Sequence, residues 1–312
     1  MILSVSRRTD VPNYYSEWFY NRIKAGFAYV RNPINTHGIS RIDLSPKLVD
    51  CIVFWTKNPA PMLDRLDELS SYKYYFQFTL TGYGKDIEPN LPDKKAEIIP
   101  TFKKLSEKIG ADRVILRYDP IMFTKTYTPE YHLKAFEQIT AELKGYTKKC
   151  VISFADIYAK NRKNMREAAV CEISRSALLD FSKNMSGIAK ANDMITASCA
   201  EEIDLSGCKI AHNCCIDKEL IENITGYRIE AAKDRNQRAA CGCIESIDIG
   251  AYNTCKNGCK YCYANYSPES VIKNCKCYDE KFPLLCSEVS AQDKVTARAV
   301  KSLREQQLSM FD

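Results

Sequence analysis

No window of about 18 uncharged apolar residues occurs in the chain, so no membrane span is expected. The opening, MILSVSRRTD, has too short an apolar stretch for a secretory leader, and its charge follows that stretch instead of preceding it. Histidine is scarce at 3 residues (His37, His132, His212), which leaves imidazole-based metal sites little material. His37 and His132 fall near the ends of expected elements and read as solvated or capping. There is no P-loop, no G-x-G-x-x-G stretch and no Ser-His-Asp arrangement; GYGKDI is too short a match to weigh. No internal repeat or low-complexity tract stands out. The 45 basic residues exceed the 39 acidic ones by little, giving +6, a balance that permits a polyanionic partner without requiring one. With 45% hydrophobic and 27% charged residues over 312 positions, the composition is globular and excludes disordered, collagen-like and coiled-coil chains. The protein is read as cytoplasmic.

The first 200 residues repeat one pattern: a short β-branched or aromatic run, a polar turn, then a longer amphipathic stretch. Strands are expected at Ile2–Ser6, Cys51–Trp55, Tyr74–Leu80, Arg113–Tyr118, Cys150–Phe154 and Met194–Ser198. Helices are expected near Ser16–Ala25, Pro61–Leu69, Lys94–Ile109, Pro129–Leu143 and Arg166–Lys190. This alternation predicts parallel βα units. The strand runs are too apolar to leave one face in water, which also favours parallel pairing. The expected fold class is α/β, a partial or full TIM-like barrel of six to eight βα units over residues 1–198. A cysteine-rich region follows at 199–290, with a short helix near Lys218–Asn223. A C-terminal helix and tail are expected at 291–312, the helix over Gln292–Glu305.

Polar side chains cluster directly after the expected strands: Arg7, Arg8 and Asp10 after the first, Lys57 after the second, Arg117 and Asp119 at the fourth, Asp156 after the fifth, Cys199 and Glu201 after the sixth. Function sits at that end of parallel strands in βα barrels. Arg7, Arg8, Lys57 and Arg117 are candidate donors to a carboxylate or phosphate, and Asp119 and Glu201 candidate acceptors for hydroxyl or ammonium groups. Mutual ion pairing, above all of Arg117 with Asp119, accounts for the same residues equally well.

Cysteine is where the composition departs most from the ordinary. Of 15 residues, 12 lie between Cys199 and Cys286. A reducing compartment disfavours disulfides, and an odd number cannot pair completely, so ligation is the better reading. The sharpest motif is CKNGCKYCYAN, which places Cys255, Cys259 and Cys262 in C-x3-C-x2-C spacing. One loop can wrap a compact inorganic centre with these thiolates, and Gly258 can take the positive φ that such a turn needs. Three ligands on a four-iron cluster leave one iron open to chemistry, where four would make an electron carrier. A zinc site is the alternative, with Cys259 and Cys262 as one half and Cys241 or Cys243 completing it. Cys199, Cys215, Cys241 and Cys243 are candidates for a second centre, with Cys208 and Cys214 competing as ligands. Cys275, Cys277 and Cys286 pose the same question more weakly. Cys51, Cys150 and Cys171 read as packing residues.

The C-x3-C-x2-C motif, with Tyr261 before its last cysteine, resembles the signature of radical S-adenosylmethionine enzymes. The resemblance implies a [4Fe–4S] cluster whose open iron binds S-adenosylmethionine, reductive cleavage of that cofactor, hydrogen abstraction from a substrate, and an electron donor such as flavodoxin or ferredoxin. It also implies a βα barrel, and a cofactor contact for Tyr261. The order is permuted, because that superfamily carries its cysteines after the first strand and this chain after the last. Over nearly its full length the chain resembles an uncharacterised bacterial family marked by SVSRRTD, FWTKNP, RYDPI, SCAE and the closing CGC and DIGAYNTCKNGCKYCYAN segments. The tyrosine near the last cysteine also resembles the cluster loop of the spore photoproduct lyases, radical enzymes acting on DNA.

The final Gln307-Leu308-Ser309-Met310-Phe311 resembles the peptide by which bacterial repair and replication proteins bind the DNA sliding clamp, with Leu308, Met310 and Phe311 as apolar anchors and Gln307 fixing register. Nucleic acid is thus an expected substrate or partner. The functional expectation is a radical enzyme. The alternatives are a non-catalytic iron–sulfur or zinc protein that binds nucleic acid or the clamp, and transfer of a methyl or aminocarboxypropyl group from the same cofactor.

Overall fold

The computed structural model describes residues 1–305. In chain order the strands are β1 (Ile2–Val5), β2 (Phe27–Arg31), β3 (Gly38–Asp43), β4 (Cys51–Thr56), β5 (Tyr74–Thr79), β6 (Val114–Ile121), β7 (Lys149–Phe154), β8 (Ile195–Ser198), β9 (Ala211–His212), β10 (Ile247–Asp248) and β11 (Lys294–Ala297). The helices are α1 (Val11–Tyr14), α2 (Ser16–Ala25), α3 (Ile99–Ile109), α4 (Pro129–Glu142), α5 (Arg162–Glu167), α6 (Arg175–Ala191), α7 (Lys218–Thr225) and α8 (Pro268–Cys275). Eight strands form one parallel sheet in the order β10-β1-β4-β5-β6-β7-β8-β9. The six expected strands are its centre, and β10 and β9 extend it by two residues each.

Alternation along the strands sends side chains to two faces. Leu3, Ile52, Phe54, Phe76, Phe78, Leu116 and Ile152 pack against Phe19 of α2, Phe102 of α3, Phe136 of α4 and Met185 of α6. Ile2, Cys51, Val53, Tyr75, Ile115 and Val151 pack instead against Cys215, Ile216, Ile221, Ile229, Cys241, Cys243 and Ile244. The helices thus cover one face and the segment 215–244 covers the other. Burial on both sides is why these strands read as unbroken apolar runs.

Several helical expectations need correction. Residues Ala60–Leu69 form a 3-10 helix, and Lys94–Ile98 is a π turn leading into α3. The stretch expected as one helix from Arg166 is two, α5 and α6. Ala169 takes φ 51°, and the Ser174 hydroxyl accepts from Ala177 N–H to begin α6 anew. The expected C-terminal helix is not formed: β11 lies parallel to β3, which pairs antiparallel with β2. Val295 and Thr296 favour the strand, and the open edge of β3 supplies the backbone partners that fix it.

His132 also corrects its expectation. It lies within α4 and is fully buried. Its Nδ1 is 2.9 Å from the Tyr118 hydroxyl and its Nε2 2.9 Å from the Met122 carbonyl. These partners assign Nε2–H as donor to Met122 and Nδ1 as acceptor from Tyr118. Burial lowers its pKa to about 4. The unfolded imidazole takes its proton near pH 6.5, so below that pH the unfolded state holds more protons and stability falls until about pH 4. Urea unfolding at pH 7 and pH 5 should show this group costing roughly 2 kcal/mol on acidification. H132Q should lose that part of the difference; an unchanged pH dependence in H132Q would refute the assignment.

Candidate metal centre

The turns after β1, β4 and β5 meet at one end of the sheet. Asp10, which follows β1 and caps α1 by accepting from Asn13 N–H at 3.2 Å, is buried there. It accepts from Lys57 N–H at 2.8 Å and from Asn257 Nδ2 at 3.0 Å. Asn257 lies inside the cysteine loop, and its Oδ1 accepts from the Tyr14 hydroxyl at 2.9 Å. One carboxylate therefore fastens the loop to the first two βα turns. The turn after β5 holds it from another side. Lys260 N–H donates to Ile87 O at 3.0 Å, and Asn90 Nδ2 donates to Lys256 O at 2.7 Å. Gly258 has φ 69°, as expected, and an added Cβ would stand 3.0 Å from the Asn90 side chain and 3.1 Å from Pro89. Both the backbone angle and the close approach require glycine.

All 15 cysteines are free. Cys259 is buried, and Cys255 and Cys262 are half-buried. Burial pushes all three thiols up, and each of Cys255 and Cys259 is pushed further by charge on its loop neighbours. Cys259 reaches about 12 even with Lys57 pulling it down. Thiols held protonated in this way ionise when a metal replaces the proton. Among the described residues, no three or more His, Cys, Asp or Glu side chains converge as ligands of a single metal ion. A tetrahedral zinc draws its ligands to one ion, whereas each thiolate of an iron–sulfur cluster holds a different iron.

Tyr261 lies over this turn, with its hydroxyl donating to Glu88 and its ring 5.4 Å from Lys57 Nζ. Glu88 is buried and takes Lys57 Nζ at 2.7 Å, the Thr81 hydroxyl at 3.0 Å, and Lys94. Sequence reasoning missed Glu88, Lys94 and Asn257, and did not give Asp10 its role. Glu88 directly follows the GYGKDI stretch, a signal too short to use.

The other expected site residues divide between places. Arg8 stands 3.9 Å from Asp248 and over the Tyr252 ring. Arg7 and Arg117 lie over the Trp55 ring at 5.0 and 5.3 Å. Arg117 pairs with Asp119, which also accepts from the Ser153 hydroxyl. Glu201 accepts from Phe154 N–H at 2.8 Å, and burial lifts its carboxyl to about 7. With Asp156 and Arg238 it lines a cleft of about 470 Å³. Cys199 and Cys215 lie together, their sulfurs 3.2 Å apart, and Cys243 adjoins both Cys215 and Cys241. Cys208 is elsewhere, donating to Leu179 O in the helical core. Cys51 and Cys150 are buried as expected, but Cys171 is exposed where its backbone bridges to Phe123. Gln307, Leu308, Met310 and Phe311 lie outside the described residues, and no helix among those described is long and apolar enough to cross a membrane.

A family model described as "Domain of unknown function (DUF1848)" matches residues 2–264, a span that includes Cys255, Cys259 and Cys262. No curated protein and no solved structure matches the chain.

Proposed function

The chain belongs to the DUF1848 family of domains of unknown function, and from its own residues we propose that it is an iron–sulfur enzyme of the radical S-adenosylmethionine type. The observation that carries this reading is the loop bearing Cys255, Cys259 and Cys262: three free thiols in C-x3-C-x2-C spacing, on a loop fastened over the ends of parallel strands. These three would hold a four-iron cluster, and the eight-stranded sheet is read as the wall of an incomplete TIM-like barrel. When bound, the cluster and S-adenosylmethionine supply reductive cleavage of the cofactor and hydrogen abstraction from a substrate.

The chain's own groups do the positioning. Asp10 and Asn257 fix the loop's height above the strands, Glu88 fixes the Tyr261 ring, and that ring and Lys57 stand beside Cys259. Asp156, Glu201 and Arg238 line a cleft of their own and are candidate polar contacts for cofactor or substrate. Nucleic acid is the proposed substrate class, in keeping with the basic balance and the clamp-like tail, and flavodoxin or ferredoxin the proposed electron donor.

The test is anaerobic reconstitution of the full chain with iron and sulfide, followed by dithionite and S-adenosylmethionine. Formation of 5′-deoxyadenosine is expected. Its absence from protein that carries the iron centre would overturn the enzymatic reading in favour of a non-catalytic cluster protein, and methylthioadenosine would indicate aminocarboxypropyl transfer.

A further inference from the structure

The sheet face covered by residues 215–244 becomes polar toward the carboxyl ends of its strands. Above the apolar layer of Val53, Tyr75, Ile115 and Val151 come Trp55, Gln77 and Arg117. Beyond these, three separate chain segments bring cysteines together: Cys199 from the end of β8, Cys215 from the turn after β9, and Cys241 and Cys243 from the CGC turn.

Cys215 is held firmly. Its carbonyl accepts from the Tyr75 hydroxyl at 2.7 Å and from Gln77 Nε2 at 2.8 Å. Its sulfur accepts from Arg117 Nη1 at 2.7 Å and Asn213 Nδ2 at 3.2 Å, and the Cys243 sulfur accepts from Ile216 N–H at 3.3 Å. Donors aimed at sulfur, one of them a guanidinium, suit a thiolate far better than a neutral thiol, whose sulfur is a weak acceptor. The charge count points the same way. Arg7 and Arg117 are both packed on Trp55 in this interior. Asp119 pairs with Arg117, whereas the Arg7 guanidinium has only Asp234 at 4.0 Å, Asp248 being taken up by the Arg7 backbone N–H at 2.8 Å. Arg7 Nη2 and Trp55 Nε1 are buried with no hydrogen-bond partner. A buried cation short of acceptors is costly unless an anion sits beside it.

We infer that Cys199, Cys215, Cys241 and Cys243 hold a second iron–sulfur cluster, with Arg7 and Arg117 as its buried counter-cations. Four thiolates on such a cluster leave no iron open, so this centre carries electrons and does not bind a cofactor. The sulfurs form a succession, 199 to 215 to 243 to 241, the first two 3.2 Å apart. The inference stands apart from the role proposed for Cys255, Cys259 and Cys262, because it uses none of them. It also gives Arg7 and Arg117 a duty different from binding a substrate carboxylate.

The experiment is iron and sulfide analysis with Mössbauer and electron paramagnetic resonance spectroscopy on the reconstituted full chain. Protein carrying C255A, C259A and C262A should retain roughly two to four irons per chain and one reducible signal, since clusters of this ligand set hold two or four irons. Adding C241S or C243S should abolish that remainder. Adding C208A should leave it intact, and R7Q should preserve the iron but lower the reduction potential of the signal. C241S and C243S made singly in the otherwise wild-type chain, each expected to lose those same roughly two to four irons, keep the test decisive if the combined variants do not fold. Iron-free triple variant, zinc in place of iron, or a remainder untouched by C241S and C243S would each overturn the inference.

Discussion

Protein carrying C255A, C259A and C262A is expected to lose about four irons per chain relative to the reconstituted wild type, and to form no 5′-deoxyadenosine. The fold should survive. The loop is fastened by Asn257, Lys260 and Asn90 rather than by its sulfurs, and the apolar cores lie below it. Each sulfur should matter alone as well. Burial and neighbouring charge push these thiols up, so in the absence of metal they stay protonated near neutral pH. Two thiolates then have to displace their protons for a weaker set of bonds, and C255A alone should lower iron retention several-fold on gel filtration under anaerobic conditions. Unchanged iron content in the triple variant would show that these cysteines are not ligands.

E88A is expected to cost about 3–5 kcal/mol, the range seen when one partner of a buried ion pair is removed. The Glu88 side chain is 1% exposed and accepts from two ammonium groups and two hydroxyls. Burial alone pushes its carboxyl up, but Lys57 and Lys94 together outweigh that and hold it down to about 2. Because that value lies below the unfolded one, the pairing stabilises fully above about pH 4.3 and is lost only as pH falls toward 2. Removing the carboxylate leaves Lys57 and Lys94 buried together without their anion and takes the acceptor from Tyr261. Urea unfolding at pH 7 measures the loss. Hydrogen exchange should show the Lys260 amide opening faster, since its partner Ile87 lies one residue from the lost side chain. K57M combined with E88L should recover part of the stability, because the pair is then replaced by apolar groups instead of broken. A loss below about 1 kcal/mol in E88A would place the pair among those worth little.

Much of the sheet was legible because its signal is local. Runs such as CIVFW and YYFQF are β-branched and aromatic, bounded by turns, and too apolar for a solvated face. What failed depended on distant partners. Residues 294–297 carry no strand signal strong enough to outweigh a basic amphipathic pattern, and the edge of β3 decides their conformation. His132 sits in a helix whose polar first turn reads as exposed, and only Tyr118 and Met122 across the packing reveal it as buried. In the candidate site the cysteines announced themselves by spacing, and Gly258 by its place between them. Glu88, Asp10 and Asn257 did not, because a carboxylate or an amide acquires its role from groups 31 to 247 positions away.

The second apolar core has a consequence for how the molecule is made. β1 takes β10 as one of its two neighbours, with Leu3 opposite Ile247, and the sheet face bearing Ile2, Val53 and Tyr75 is sealed only by residues 215–244. During synthesis, the opening strand must wait for three quarters of the polypeptide to emerge before its surroundings are complete. Until then a broad, mostly aliphatic surface stands open, the kind of nascent species on which chaperones act. Pairings of such wide sequence separation also slow folding, so the contacts that join the opening strand to the thiol-rich stretch belong to the slow part of the process.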